Sequence, residues 1–412
     1  MTTAAKPAAL RAPANPLVLI VLCGCCISLL TFGLRSAFGL FTDPLSAAQG
    51  WSRDVFSLAM AIQNLAWGIG QPIGGMIADR YGPAKAMAGG GIIYALGLAL
   101  MAYSSTPGEL HLSAGVLVGL GMGGASYITV LAALGKIVPP ERRSWALGLG
   151  AAAGSLGQFL VVPLGQALVV AYGWQVAALL LAGLAATVPL LAGAFAGAKG
   201  AAPAAQEVEL DFATTLRAAF GHTSYVLLVT GFFVCGFQLA FITIHMPAYL
   251  SDHGVSPTLA AWAIGVIGLF NVFGAYFAGV IGTKHSKKYL LSWIYAGRGV
   301  VTILFITLPL SPTTLMLFAA SMGILWLSTA PPTSGLVAVM FGTRYMGTLF
   351  GIVFFSHQIG SFLGVWLGGM LFETTGSYLI VWWMTVALAF AAALIHLPIV
   401  ERPAPRFAEG AA

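Results

Sequence analysis

Apolar stretches of about 20 residues or more follow one another along the chain, at 17–42, 52–78, 84–104, 111–137, 144–171, 174–197, 223–250, 257–282, 289–310, 312–339, 345–372 and 377–399. A helix that crosses a bilayer needs such a run, because lipid offers its backbone polar groups no partner. One run can be the buried helix of a soluble domain. Twelve leave no polar shell: 59% of the 412 residues are hydrophobic and only 7% are charged, whereas soluble domains carry about a quarter charged residues. The pattern predicts an all-α membrane protein with twelve transmembrane helices.

Basic residues predict its orientation. Lys6, Arg11, Arg80, Lys85, Lys136, Arg142, Arg143, Lys199, Arg217, Lys284, Lys287, Lys288, Arg344, Arg402 and Arg406 fall at the termini and in every second loop, while the other loops hold only Arg53. Basic loops stay on the cytoplasmic side, so both termini are expected there, and the net charge of +6 reflects topology rather than nucleic-acid binding. Residues 1–15 read as a cytoplasmic tail with no cleavable signal, and the expected location is a bacterial inner membrane. Cys23, Cys25, Cys26 and Cys235 lie inside spans without metal-ligand spacing, so neither a disulfide nor a metal is expected. The glycine runs near 88 and 121 follow no strand and suit helix packing better than phosphate binding. Without a nucleotide loop or a catalytic constellation, neither an enzyme nor a cofactor is expected.

The chain repeats itself. "FGLRSAFGLFTDPL" from Phe32 aligns with "CGFQLAFITIHMPAYL" from Cys235, pairing Gly33 with Gly236, Ala37 with Ala240, Phe38 with Phe241 and Pro44 with Pro247. Gly70 pairs with Gly274, Gly75 with Gly279 and Arg80 with Lys284, and "GQFL" at 157 echoes "GSFL" at 360. The repeat predicts two pseudo-symmetric six-helix bundles, 16–197 and 223–400, joined by a cytoplasmic linker at 198–222 and followed by a tail at 401–412. Parallel six-span repeats of this kind belong to transporters that bind substrate between their halves.

The loop after the second span, "GGMIADRYGPAKAM", resembles a signature of the major facilitator superfamily through Gly75, Asp79, Arg80, Gly82 and Lys85. That resemblance implies the major facilitator fold, alternating access, and a conformational latch at Gly75, Asp79 and Arg80. In the second half Thr283 stands where the latch acid would be. "LRSAFGLFTDPLSAAQGWSRDVFSLAMAI" and "GSLGQFLVVPLGQALVVAYGWQ" resemble more specifically the first and fifth helices of the monocarboxylate transporter family and its bacterial oxalate/formate-type relatives. By that likeness Arg35 is nominated for the substrate site. The family's acid and arginine of helix eight are absent, with Ile267 and Asn271 in their places.

The residues alone also single out Arg35. It lies about eight residues, roughly 12 Å, below the end of the first apolar run, a depth at which a charge is by default functional. Ser28, Thr31, Gly39 and Thr42 share its helical face. In the repeat Gln238 takes the place of Arg35 and His245 that of Thr42. Tyr127, Asn271 and Gln358 are further candidates to line the site, each with the plainer alternative of bonding helix to helix. His245 is the candidate proton-coupling group, since imidazole titrates nearest physiological pH. Arg298 is either a second anion contact or, more in keeping with a scaffold helix, a structural cation bonded to backbone carbonyls. All the acids, including Asp43, Asp54, Glu109, Asp252 and Glu373, fall outside the spans, which leaves the interior net positive.

Such an interior favours anions, and an arginine fork suits a carboxylate. The expected function is secondary transport of a small organic anion, a monocarboxylate such as lactate or pyruvate, with protons as a possible co-substrate and a monomer in the bilayer as the working unit. A dicarboxylate/monocarboxylate exchanger or an exporter of amphipathic compounds are the alternatives within transport, and a static membrane scaffold is the alternative outside it.

Overall fold

The computed structural model describes residues 16–197, 212–342 and 346–404. The expected tail at 1–15 and most of the linker and of the final tail lie outside them. Among the described residues the regular structure is entirely helical. Ten stretches are long and apolar enough to cross a membrane. One of these, Glu141–Phe195, is two spans that turn at Gly173. Arg53–Tyr81 supplies a further span, with its charges confined to its ends, so the count is twelve. Gly173 is needed at its corner because its φ of 79° lies in the left-handed region that other residues avoid. Proline at the first helical turn and a Ser or Thr cap start several spans, as at Thr106–Pro107, Ser256–Pro257 and Ser311–Pro312.

One buried core lies mostly in the second set of six spans and takes in Ala37, Leu40 and Val162 of the first, and another lies mostly in the first and takes in Ala240, Ile244, Phe354 and Val365 of the second. In the second set Trp382 is fully buried among Phe241, Tyr249, Phe305 and Phe318. The repeat seen in the sequence reappears as matched crossings. Span one (Pro16–Ser36 and its continuation to Gln49) meets span five (140–172), where a Cβ on Gly157 would run into the carbonyl of Leu29. Span seven (Thr223–Asp252) meets span eleven (Met346–Thr375), where a Cβ on Gly360 would run into the carbonyl of Phe233. Gly157 and Gly360 are the repeat partners, and each lets two backbones touch.

Among the described residues spans one, four, six (at 186–187) and ten are interrupted. Span one bends after Ser36, passes through a tight turn at Phe38–Phe41, and continues as Thr42–Gln49. The apolar run alone ends this span near Thr42; the structure extends it to Gln49, just past the point where Gly39 rests on the Thr243 and Ile244 carbonyls of span seven. Span four (Pro107–Ile137) opens at Ser126, whose ψ is 159°. Span ten (Pro312–Phe341) opens between Leu325 and Ala330. Within the expected linker the described part is itself helical, Phe212–Phe220.

Candidate functional site

Arg35 closes the first straight segment of span one, immediately before its bend. Its Nη2 donates to Asn64 Oδ1 at 3.1 Å, and its Cζ stands 5.0 Å from the centre of the Trp67 ring. Both partners come from span two. The guanidinium borders a cleft of ≈ 10 Å³ lined by Thr31, Phe32, Trp67, Met122, Ser126 and Tyr127, which is about the room one water needs. Tyr127 packs edge-on against Phe32 with ring centres 5.4 Å apart. The ion pairs among the described residues all lie elsewhere. With five donors, one neutral acceptor and one covered face, Arg35 keeps most of its hydrogen-bonding capacity for something else.

Span two holds this arrangement in place. Trp67 Nε1 donates to Gln71 Oε1 at 3.1 Å, Gln71 Nε2 donates to Thr129 Oγ1 at 3.2 Å, and Ser126 Oγ donates to Gln71 Oε1 at 2.8 Å. Gln71 therefore fixes the indole and stitches the opening in span four. Asn64 in turn is tied to the second half: Gln358 Nε2 donates to the Asn64 carbonyl at 3.0 Å. Phe354 of span eleven meets Trp67 edge-on at 5.2 Å. Asn64, Trp67 and Gln71 are not among the residues that the sequence alone singles out. Their spacing of three and four residues places them on one helical face, a signal available in "NLAWGIGQ".

The other candidates form a second constellation, centred on Arg298. This side chain is fully buried, and it donates to the Leu325 carbonyl through Nε at 3.0 Å and Nη2 at 2.8 Å, and also to the Trp326 carbonyl. Those carbonyls end the first segment of span ten, where no further turn exists to use them. Gln238 Oε1 accepts from Arg298 Nη1 at 3.4 Å, while Gln238 Nε2 donates to the Thr385 carbonyl at 2.9 Å. Asn271 works on the same opening from the other side. Its Oδ1 accepts from Leu327 N–H at 2.9 Å and its Nδ2 donates to Ser155 Oγ of span five at 2.8 Å. Thus Gln238 and Asn271 are not in the Arg35 cleft; both help support an unwound backbone.

His245 is fully buried between spans seven, eleven and twelve, against Phe241 and Tyr378. Its Nε2 is 2.8 Å from the Val365 carbonyl and its Nδ1 has no partner. A carbonyl only accepts, so this geometry assigns the proton to Nε2 and leaves Nδ1 a bare acceptor. At the far end of span two, Asp79 pairs with Lys136 of span four, Arg80 covers the ring of Tyr81 at 5.3 Å, and nothing beyond its own helix lies within 4 Å of a Cβ on Gly75. Among the described residues these latch candidates make no bridge to the second half.

Two bundles of six spans with interrupted helices at their junction define a secondary transporter rather than an enzyme. The sequence matches the Major Facilitator Superfamily over residues 23–365 and again over 228–412, and the chain belongs to that family. It is 28% identical over 369 residues to monocarboxylate transporter 13 of Bos taurus, covering 85% of this chain and 82% of that protein. It is 26% identical over 376 residues to the uncharacterized MFS-type transporter YcxA of Bacillus subtilis (strain 168), covering 89% and 91%. Among solved structures, a bacterial homologue of the human lysosomal transporter Spinster, in an inward-facing and unoccupied conformation, superposes with a TM-score of 0.75 at 15% identity, covering 96% of this chain and 100% of that one.

Proposed function

We propose that the chain carries a small monocarboxylate across the membrane and that Arg35 is its anion clamp. One observation carries this reading: a guanidinium deep in a span, steadied by Asn64 and Trp67, with no carboxylate of the described residues on it. An incoming carboxylate would supply the planar bidentate partner that the protein does not. One cation and aromatic walls from Phe32, Trp67 and Tyr127 favour a single carboxylate on an apolar body over a dicarboxylate. The names of the curated relatives point the same way.

The cleft is too small for such a substrate as it stands, so binding requires Tyr127 or the Trp67–Phe354 contact to give way. Phe354 and Gln358 belong to span eleven, which links occupancy of the site to the relative position of the halves. In the same reading His245 is the proton-coupling group: its bare Nδ1 can take a proton, and its ring is pressed against Gly368 of span eleven. Arg298 is structural. The termini are cytoplasmic by the bias of basic loops, which puts Arg53 on the outer face of a bacterial inner membrane.

Uptake of labelled lactate and pyruvate into proteoliposomes tests the reading. Arg35→Ala is expected to abolish uptake with membrane insertion intact, and Arg35→Lys to restore only part of it, because an ammonium lacks the fork. Wild-type uptake by Arg35→Ala would remove Arg35 from the site. Absence of any carboxylate uptake or binding by the wild-type protein would refute the substrate class.

A further inference from the structure

Arg53 opens span two at the end of the molecule opposite Asp79, and its side chain is only 16% exposed. Its Nη1 donates to Asp252 Oδ2 at 2.6 Å and its Nη2 to Asp252 Oδ1 at 2.7 Å, a fork-to-fork pair. Nη2 also stands 2.8 Å from Asp43 Oδ1, and Cζ lies 4.6 Å from the centre of the Phe372 ring. The backbone N–H of the same residue donates to Glu373 Oε1 at 2.9 Å. Asp43 and Arg53 belong to the first half of the chain, whereas Asp252, Phe372 and Glu373 end spans seven and eleven of the second. One residue therefore fastens the ends of spans one, two, seven and eleven together.

The close approaches between halves lie on the same side and as far as mid-membrane. Gly39 meets span seven and Gly369 meets Ser57 between Arg53 and mid-membrane, and Gly68 meets Gln358 and Gly268 meets Ser155 and Gln158 at about mid-membrane. Past that depth, Cβ atoms on Gly75 and Gly148 would have nothing beyond their own helices within 4 Å. Among the described residues the ion pair at the opposite end, Asp79–Lys136, stays within one half. The halves are thus pinned where Arg53 sits.

We propose that Arg53 is the gating residue of the transport cycle at this end: its fork on Asp252 and its N–H on Glu373 hold the halves shut over the Arg35 cleft, and both must break for the cleft to open there. The assignment needs only rocking halves, and does not depend on which substrate is carried. An alternating-access protein spends its cycle exchanging closures between its two ends. Ties that cross from half to half are the ones whose loss shifts that equilibrium, and the half-buried Arg53–Asp252 fork is the ion pair among the described residues that makes such a tie.

The test reads access to the cleft. With Cys23, Cys25, Cys26 and Cys235 replaced by serine or alanine, Met122→Cys lines the cleft as a reporter. Gly108→Cys, an exposed position where a Cβ meets nothing, reports which end faces outward. Intact cells are treated with a membrane-impermeant maleimide. Arg53→Ala is expected to raise the rate of Met122→Cys labelling about tenfold, as a shift of the open population by that factor requires. Asp252→Asn and Glu373→Gln, which leave Arg53 itself in place, are expected to raise it less. The exchange Arg53→Asp with Asp252→Arg is expected to return it towards the parent value. Unchanged labelling in Arg53→Ala and Asp252→Asn, with Gly108→Cys labelled normally, overturns the gate. Faster labelling that the charge exchange leaves uncorrected overturns it too, since general loosening explains that result. Unlabelled Gly108→Cys would instead show the orientation to be reversed, and the same labelling in inverted vesicles then supports or overturns the gate by the same criteria.

Discussion

Arg298→Met replaces a buried guanidinium with a shorter apolar side chain, and the structure sets the size of the effect. The Leu325 carbonyl loses two donors and the Trp326 carbonyl loses one, both at the interruption of span ten. Leaving a buried acceptor unsatisfied costs about 1–3 kcal/mol, so two of them cost roughly 2–6 kcal/mol. Part of this is offset, because the variant no longer desolvates a charge. A net loss of about 3 kcal/mol is expected, which for a unit of 150–250 residues corresponds to a fall in Tm of about 6–12 °C. Arg298→Lys should recover part of it, since an ammonium can reach one carbonyl but cannot bridge both. The assay is thermal unfolding of detergent-purified protein, run beside carboxylate binding measured well below the transition. An unchanged Tm together with lost binding would show that Arg298 holds substrate and not the backbone.

Other substitutions follow from the same contacts. Trp67→Ala removes the face that steadies Arg35, and a cation–π contact of about 1 kcal/mol implies carboxylate binding weakened about fivefold, with Trp67→Phe close to wild type; equal affinity in both would exclude the indole from the site. His245→Gln is expected to flatten the external-pH dependence of uptake, because its Nδ1 is the bare acceptor, with His357→Gln run beside it for comparison; a retained dependence in His245→Gln would mean that coupling resides elsewhere or that the protein is an exchanger. Gly157→Val sets a branched side chain against the Leu29 carbonyl and should abolish monodisperse protein on size exclusion, whereas Gly148→Ala, facing open space, should behave as wild type.

The twelve spans and the repeat are legible in the sequence because both are written in quantities that a linear chain displays: run length, and residues recurring at a fixed offset. Gly157 and Gly360 stand at one offset, and the structure gives them the same task. The interruptions in spans four and ten are not legible, since Ser126 and Trp326–Thr329 look like ordinary polar or bulky residues in an apolar run. What opens a helix there is the presence of donors and acceptors from other spans, Gln71 at one opening and Arg298 with Asn271 at the other. Gln238 illustrates the same gap. Its register with Arg35 places it on a helix, but a register does not say which neighbour its amide will find.

That divergence between repeat partners explains why the cations of the two halves end with different roles. Arg35 and Trp67 of the first half correspond to Gln238 and Asn271 of the second, by the offsets that pair Gly33 with Gly236 and Gly70 with Gly274. In the first half the opening of span four is closed by neutral groups: Ser126 caps its own second segment by accepting from Thr129 N–H, and Gln71 bonds to both residues. No charge is consumed there, and Arg35 carries a single bond to the neutral Asn64 with Trp67 across its face. In the second half the opening of span ten exposes successive carbonyls, which only a donor can satisfy, and Arg298 meets them with Gln238 and Asn271 beside it. A buried arginine is available to an anion only to the extent that the protein has not already given it acceptors. Counted that way, the first half holds the available cation of the pair, and the proposed function therefore puts the substrate's carboxylate on its side of the interface, with span eleven of the second half closing over it.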